Sequence, residues 1–294
     1  MTNEKETALG RRQFLELAAG AAVLPATKQE FYSGAETVTL GKTGIRTSRL
    51  CFGTGVKAGG GKSSLDRLGH DGVIALLRHA YEKGIRCFDM AHSYGTHKYI
   101  AEALKDYPRD SYTIITKVGC RKDTPIEQRV NDFLKELKTD YIDVMQMHYV
   151  NQAEWPQNLA PVMEGLEKCK QAGKIRAHGL SMHMRPALEV AATTEWAEVC
   201  HVRLNPFKVL MDGPVPDNVD LCRKLKARGA GVIAMKILGE GWLSQYPEKI
   251  DQSVAFTLTS GVVDVMAVGF LDVKEVDDMM DRIARVAKPV IKKG

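Results

Sequence analysis

The stretch Gly84-Ile-Arg-Cys-Phe-Asp-Met-Ala-His-Ser-Tyr94 contains the unit from which this chain is built. A helical pattern of apolar residues covers residues 71–83 just before it, and Gly84 stands where a left-handed helix cap favours glycine. A short apolar run follows and ends at Asp89, after which the chain becomes polar. The order is therefore helix, glycine, short strand and polar loop.

This order repeats along the chain. Predicted helices over residues 158–172 and 216–228 also stop at a glycine. Eight apolar runs rich in Val, Ile and Met end near Gly53, Asp89, Lys117, His148, Ser181, Asn205, Lys236 and Gly269. Their ends are 24 to 36 residues apart, close to the roughly 31 residues that eight βα units of a barrel of about 250 residues require. Alternating strands and helices favour parallel strands, so the sequence predicts an α/β fold, a closed (βα)8 TIM barrel.

The segment 36–49 departs from the repeat. Residues 38–40 and 45–47 are predicted to form two short strands joined by the turn Gly41-Lys-Thr-Gly44. We expect this β-hairpin to plug the floor of the barrel. No Gly-x-Gly-x-x-Gly follows a strand, so the dinucleotide-binding fingerprint of open sheets is absent from the sequence.

The N-terminus carries a different signal. Gly10-Arg11-Arg12-Gln-Phe-Leu15 resembles a twin-arginine export signal, and a weakly apolar segment over residues 17–24 follows it. That segment is too short to span a bilayer, so we expect no stable membrane insertion after processing. We divide the chain into residues 1–35, a twin-arginine signal-like segment or a disordered tail, and the barrel, residues 36–294. The signal implies the twin-arginine translocase as a partner and a periplasmic or exported location; a tail leaves the protein cytoplasmic.

Composition narrows the classes of function. Lys and Arg number 41 against 36 Asp and Glu, and this net charge of +5 suits small anionic ligands but is too weak for a nucleic-acid partner. The six cysteines are widely and irregularly spaced, without a Cys-x-x-Cys pair or a histidine at ligand spacing, so no metal site is predicted. Cys51, Cys87 and Cys200 lie in apolar runs and are expected to be buried thiols.

Four residues that can carry chemistry lie at the ends of three successive predicted strands. Asp89 and Tyr94 follow one strand, Lys117 ends the next over residues 112–116, and His148 ends the third over residues 141–147. Residues at these strand ends are typically catalytic in a barrel. Each has an ordinary structural explanation when taken singly. Their joint occurrence instead indicates a tuned proton donor.

The same residues resemble the signature of the aldo-keto reductases. The segment from Gly84 to Gly95 is similar to the family's sequence around its catalytic aspartate and tyrosine, Thr116-Lys117 to its strand-end lysine, and Gln146-Met-His148 to its strand-end histidine. The resemblance runs from about residue 37 to residue 285. It implies an NAD- or NADP-dependent oxidoreductase that interconverts a small carbonyl compound (an aldehyde, ketone or keto-sugar) and the corresponding alcohol by hydride transfer.

In that reaction Tyr94 is expected to donate the proton to the carbonyl oxygen. A free phenol has a pKa near 10, and we expect the Lys117 ammonium to lower it. Asp89 is expected to keep Lys117 protonated, and His148 to aim the carbonyl. His92 and His97 lie near Tyr94, where they either contact the substrate or are solvated surface residues.

The cofactor side departs from the family's pattern. Ser181-Met182 stands where most relatives have Ser-Asn to hold the nicotinamide carboxamide, and the counterpart of a glutamine on the next strand is His201 or Arg203. The turn Met235-Lys-Ile-Leu-Gly-Glu-Gly241 is similar to that of a bacterial subgroup, in which backbone amides and the lysine wrap the pyrophosphate. The residues predicted to bind the cofactor are Gly53, Thr54, Asp89, Ser181, Met182, Arg203, Met235, Lys236, Leu238, Gly241, Gly269, Lys274 and Asp278.

The last predicted unit bears on the choice of nucleotide. Relatives that prefer NADPH place Lys-Ser and Arg here, whereas this chain has an acidic stretch from Gly269 to Asp278 with Lys274 as a basic exception. Acidic side chains repel the 2′-phosphate that only NADP carries. The acidic stretch therefore favours NAD over NADP. The substrate class includes sugars. The alternative function is a nucleotide-binding pseudoenzyme, a redox-sensing or interaction protein on the same barrel.

Overall fold

Ten short strands carry the apolar runs of the sequence. Their bounds are Thr37–Thr39 (β1), Arg46–Ser48 (β2), Leu50–Gly53 (β3), Cys87–Asp89 (β4), Thr113–Gly119 (β5), Ile142–Val150 (β6), Ile175–Met182 (β7), Val199–Arg203 (β8), Gly231–Met235 (β9) and Val265–Val268 (β10). Each strand from β3 to β9 pairs with the next in parallel, and β10 pairs back with β3. The structure, a computed structural model that describes residues 29–290, therefore confirms the closed eight-stranded barrel.

Helices connect the barrel strands. Their bounds are Gly69–Glu82, His97–Ala103, Ile126–Leu137, Trp155–Asn158, Ala160–Gln171, Arg185–Ala191, Val215–Ala227, Pro247–Thr259 and Val273–Ala284. The three predicted helices are confirmed to within two residues at each end. Gly84 and Gly229 follow two of them with φ angles of 91° and 93°, which side chains other than glycine rarely adopt. None of the helices in the described part of the chain is long and apolar enough to cross a bilayer.

The predicted strand ends agree with the observed ones. Gly53 and Asp89 are the last residues of β3 and β4, and the other six predictions fall within two residues of the observed ends. Because the eight strands are parallel, all these ends meet on one face of the barrel. That face is where the sequence places its chemistry.

The barrel interior is filled by small and branched side chains. Alternation along each strand points about half of the side chains inward and the rest toward the helices. Leu40 and Ile45 of the N-terminal hairpin belong to the inner cluster, so the hairpin plugs the floor as predicted. The strand residues of that cluster are Cys51, Cys87, Ile115, Val144, Ala177, Val199, Ile233 and Val265. The three cysteines expected to be buried thiols are buried and free.

The compact unit that contains the barrel begins at Phe31. The backbone amide of Tyr32 donates to the carbonyl oxygen of Val286 at 3.0 Å. Residues 31–35 therefore pack with the barrel, although they fall within the predicted N-terminal segment. The twin-arginine-like sequence at residues 10–15 lies outside the described residues.

Candidate active site

A cavity of about 650 Å³ opens among the carboxyl ends of the barrel strands. This volume is within the usual range for sites that bind small molecules and cofactors. The cavity brings together most of the residues that the sequence predicted for the site. Those in its wall are Gly53, Asp89, Tyr94, Lys117, Ser181, Met235, Lys236, Leu238, Gly241 and Gly269.

A buried ion pair lies at the bottom of the cavity. The Lys117 ammonium donates to Oδ1 of Asp89 and, at 2.9 Å, to the carbonyl oxygen of Met90. Burial by itself raises the pKa of the Asp89 carboxyl, but Lys117 and the His201 imidazole hold it below its usual value. Asp89 is therefore ionised at neutral pH and compensates the charge of Lys117.

Tyr94 lies above this pair. Its hydroxyl oxygen is 3.4 Å from Nε2 of His148, and the Lys117 Nζ is 5.7 Å from the centre of its ring. Burial, followed by the negative charges of Asp89 and Glu240, raises the pKa of Tyr94 above its usual value of 10. The prediction that Lys117 lowers this pKa is wrong, because Asp89 compensates the ammonium and burial favours the neutral phenol. Tyr94 thus keeps its proton at neutral pH, as a proton donor must.

His148 is a neutral imidazole. Burial, reinforced by the charge of Lys117, lowers its pKa to about 3. A neutral ring offers one N–H donor and one acceptor. Next to the Tyr94 hydroxyl, it can orient a carbonyl oxygen without competing as an acid.

Gly55 provides the space for the Tyr94 ring. A Cβ atom at this position would lie 2.6 Å from Cε2 and 3.0 Å from the hydroxyl oxygen of Tyr94. Both distances are too short for a real contact without movement of the ring. Gly55 was not among the predicted site residues, because only the folded chain brings it against Tyr94.

Two histidines lie in the cavity wall: His183, which was not predicted, and His201, one of the two candidates for the family's glutamine position. His183 lies two residues after Ser181, and His201 lies opposite Ser181 in the pairing of β7 and β8. Nε2 of His201 is 3.3 Å from Oδ1 of Asp89 but outside hydrogen-bonding geometry. Neither of its ring nitrogens has a hydrogen-bond partner among the described residues, and burial lowers its pKa.

Thr54 and Met182 were predicted to bind cofactor but do not line the cavity. The Thr54 hydroxyl donates to the carbonyl oxygen of Asp89 at 3.0 Å, so it supports the backbone of the ion pair. Met182 is buried in the apolar layer between barrel and helices. It misses the cavity because successive side chains of a strand point to opposite faces.

Arg203 also lies outside the cavity wall. Its guanidinium donates to Nδ1 of His183 at 2.8 Å and to the carbonyl oxygen of Leu210 at 3.0 Å. Of the two candidates for the position on this strand, His201 lines the cavity and Arg203 does not.

Two predicted residues of the last unit, Lys274 and Asp278, are exposed positions of a helix. Lys274 and Asp278 lie on the helix Val273–Ala284, and Asp278 accepts from Arg282 at 2.6 Å. Neither lines the cavity, whereas Glu275 of the same helix does. Lys274 is next to Glu275, and successive helix residues point in directions about 100° apart, so Lys274 faces another side of the helix. Asp278 lies one turn further along the helix, where it pairs with Arg282.

The structure supports neither alternative for His97. The residue is buried, with Nδ1 2.6 Å from Oε2 of Glu136 and Nε2 2.7 Å from Oγ1 of Thr116. His97 therefore links strand β5 to the helix Ile126–Leu137 beside the site. His92 is exposed and stacks on Phe133 with 5.2 Å between the ring centres.

Comparison with known proteins agrees with this geometry. The model of the Aldo/keto reductase family matches residues 49–286, which is most of the chain. The chain belongs to the aldo/keto reductase family. As a member, it is an oxidoreductase of a family that reduces carbonyl compounds.

Among curated proteins, this aldo/keto reductase is similar to an L-galactose dehydrogenase of Arabidopsis thaliana and to the aldo-keto reductase YhdN of Bacillus subtilis. The identity with the first is 26% over 228 residues, covering 71% of this chain and 67% of that protein. With the second it is 32% over 163 residues, covering 50% of this chain and 46% of that protein. The alignment thus spans less than half of the second relative.

A solved aldo/keto reductase from Klebsiella pneumoniae, in complex with NADP and acetate, has the same fold. The TM-score is 0.66 at 18% identity, and the match covers 85% of this chain and 90% of that one.

Proposed function

We propose that this aldo/keto reductase reduces a small aldehyde, ketone or keto-sugar with NADH or NADPH, and that Tyr94 is the proton donor. The observation that carries the proposal is that the Tyr94 hydroxyl and the buried Lys117–Asp89 pair share one cavity, while the His148 imidazole, which is not a wall residue, contacts the Tyr94 hydroxyl. The similarity to an L-galactose dehydrogenase supports a sugar or a related oxygenated compound as the substrate.

Each of the four side chains has its own role in the reaction at the carbonyl group. A nicotinamide nucleotide, when bound, supplies the hydride that the carbonyl carbon accepts. Negative charge then grows on the carbonyl oxygen, and the neutral phenol of Tyr94 donates its proton there. His148 aims the oxygen by a hydrogen bond. The Lys117 ammonium stays paired with Asp89 below the Tyr94 ring, and the Asp89 charge of this pair helps to keep the phenol protonated until the transfer.

The cavity wall fits a dinucleotide in extent and in polar groups. The wall continues from Tyr94 to Glu275 at the start of the helix Val273–Ala284. A Cβ atom on Gly269 would lie 2.3 Å from Cγ2 of Val56, so glycine allows these two wall residues to pack closely beyond the ends of β3 and β10. The buried Nδ1 of His201 has no hydrogen-bond partner among the described residues and is available to an amide group, whereas its Nε2 lies 3.3 Å from Asp89.

The proposal includes a preference for NADH over NADPH. Glu275 lines the cavity, and the ammonium of Lys236 is paired with the carboxylate of Glu240. Two acidic side chains therefore face the bound nucleotide, and the positive charge of Lys236 is compensated. Lys274 lies outside the wall. The Klebsiella protein is in complex with NADP, so the comparison does not support a preference for NADH. The support comes from the acidic side chains of this chain alone.

Glu275→Gln is expected to strengthen NADPH binding on the order of threefold without changing NADH binding, since it removes one negative charge near the 2′-phosphate. The amide oxygen can still accept from the backbone amide of Leu271, as Oε2 of Glu275 does at 2.6 Å. Fluorescence titration with both nucleotides measures the two Kd values. Glu248→Gln, at an acidic residue outside the cavity wall, is the control. A wild-type protein that binds NADPH more tightly than NADH contradicts the preference.

Gly55→Ala is expected to lower kcat about 100-fold, because the added Cβ atom must displace the Tyr94 ring and a shift of about 1 Å can have this effect. Steady-state kinetics with a short aldehyde measures it. Gly59→Ala is the matched control in the same loop, since a Cβ atom there meets nothing within 4 Å. Equal kcat values for Gly55→Ala and the control refute the role of Gly55.

A further inference from the structure

His183 lines the cavity and has no part in the proton transfer described above. Its ring centre is 5.9 Å from that of His148 and 4.4 Å from that of Tyr149. His148 touches the Tyr94 hydroxyl, and Tyr149 is exposed. His183 therefore lies beside the group that aims the carbonyl.

Arg203 determines which nitrogen of His183 carries the proton. A guanidinium can only donate hydrogen bonds, and Nη2 of Arg203 lies 2.8 Å from Nδ1 of His183. Burial and the Arg203 charge lower the pKa of His183 to about 2, so the ring is neutral. Nδ1 is thus the acceptor, and the proton of the neutral ring is on Nε2.

The Nε2–H group of His183 faces the cavity with a weak partner. Its neighbour is Oγ of Ser181, a wall residue, at 3.5 Å. This distance exceeds the usual range of about 2.7–3.2 Å for an N–H donor. A ligand oxygen can therefore replace Ser181 as the acceptor at little cost.

We propose that His183 binds a second substrate oxygen on the carbon next to the carbonyl, which makes α-hydroxy and α-oxo carbonyl compounds the preferred substrates. Each hydrogen bond spans about 3 Å. Donors on rings with centres 5.9 Å apart can therefore reach oxygens on adjacent carbons, one from His148 and one from His183. Arg203 is the positioning residue that keeps the donor on Nε2. This inference rests on the proposed carbonyl reduction.

L-Lactaldehyde and propanal test this, because they differ only by the α-hydroxyl group. His183→Phe keeps a ring against Tyr149 but has no donor, and it is expected to lower kcat/KM for L-lactaldehyde about tenfold more than for propanal. His183→Gln places an amide N–H near the former Nε2 and is expected to restore most of the difference. For each aldehyde, kcat/KM of a variant is divided by kcat/KM of the wild type. The hydrated fraction of the aldehyde is the same in both measurements and cancels in this ratio.

Two further variants separate the role of His183 from a structural one. Arg203→Met removes the donor to Nδ1 and is expected to lower kcat/KM for L-lactaldehyde alone, by less than His183→Phe does. Met184→Ala changes the next residue along the chain, which is exposed and outside the cavity wall, and is expected to leave both aldehydes unaffected.

The alternative acceptor for Nε2–H is the amide oxygen of the nucleotide. In that case His183→Phe raises the Kd for NADH in a fluorescence titration and slows both aldehydes equally, which overturns the proposal. Equal losses without a change in Kd overturn it too. A wild-type protein that reduces propanal and L-lactaldehyde equally well, with equal responses to His183→Phe, refutes the α-oxygen site but keeps the proposed function. A wild-type protein that binds NADH but reduces neither these aldehydes nor a ketone or keto-sugar refutes both.

Discussion

Tyr94→Phe is expected to lower kcat for carbonyl reduction by about 100- to 10 000-fold, the usual contribution of a positioned proton donor. The variant keeps the ring and loses only the hydroxyl, whose partner is Nε2 of His148. The Kd for the nucleotide should therefore remain within about twofold of the wild-type value. Steady-state kinetics and fluorescence titration on the same preparations measure the two quantities.

Tyr99→Phe is the matched control for this variant. Tyr99 is also buried, and its hydroxyl donates to Oδ1 of Asp66 at 2.7 Å outside the cavity wall. Losing this hydrogen bond should cost about 1 kcal/mol of stability without lowering kcat. A Tyr94→Phe protein with kcat within tenfold of wild type would exclude Tyr94 as the proton donor. A wild-type protein that binds nucleotide but reduces no carbonyl compound favours the nucleotide-binding pseudoenzyme.

The raised pKa of Tyr94 makes this test sensitive to pH as well. Burial and the charge of Asp89 keep the phenol protonated beyond its usual pKa of 10. The rate of reduction should therefore not fall between pH 7 and pH 9 through loss of the Tyr94 proton.

Lys117→Met is expected to destabilise the protein by about 3–5 kcal/mol, because it leaves Asp89 as a buried charge without its ion-pair partner. The effect should depend on pH. In the wild type the folded pKa of Asp89 is lowered, so its contribution to stability is present above the unfolded pKa and is lost in acid. In the variant the Lys117 charge is gone, so burial becomes the main effect on the Asp89 carboxyl and raises its pKa. The stability gap between the two proteins should therefore narrow as the pH falls from 8 to 5.

Urea unfolding of both proteins at pH 5 and pH 8 measures this gap. The double variant Lys117→Met/Asp89→Asn removes both charges and is expected to recover part of the lost stability, but not the catalytic rate. An equal loss of stability at both pH values, without recovery in the double variant, contradicts a buried ion pair between Asp89 and Lys117.

The four residues proposed for catalysis were accessible from the sequence because they follow strands. Asp89, Lys117 and His148 lie in or at the end of three strands that are neighbours both in sequence and in the barrel. Parallel pairing brings the ends of successive strands together on one face of the barrel, independently of the length and sequence of the loops. Tyr94 follows closely enough after β4 to share this face.

Other predictions needed side-chain directions that sequence patterns do not contain. Met182 is only one residue beyond Ser181, yet it points to the opposite face of β7. Lys274 and Glu275 are adjacent on one helix, and only Glu275 reaches the cavity. Along strands and helices, a difference of one residue decides which side of the element a side chain occupies.

The sequence by itself determined the barrel, its floor hairpin and the shared location of Asp89, Tyr94, Lys117 and His148, because apolar periodicity and glycine caps are local properties that define where each element starts and ends. Only the tertiary structure decided the direction of the Tyr94 pKa shift, the need for glycine at position 55 and the bond from Arg203 to His183. These depend on distances between residues far apart in the chain and on how much water burial removes. They arise only when the eight strands close.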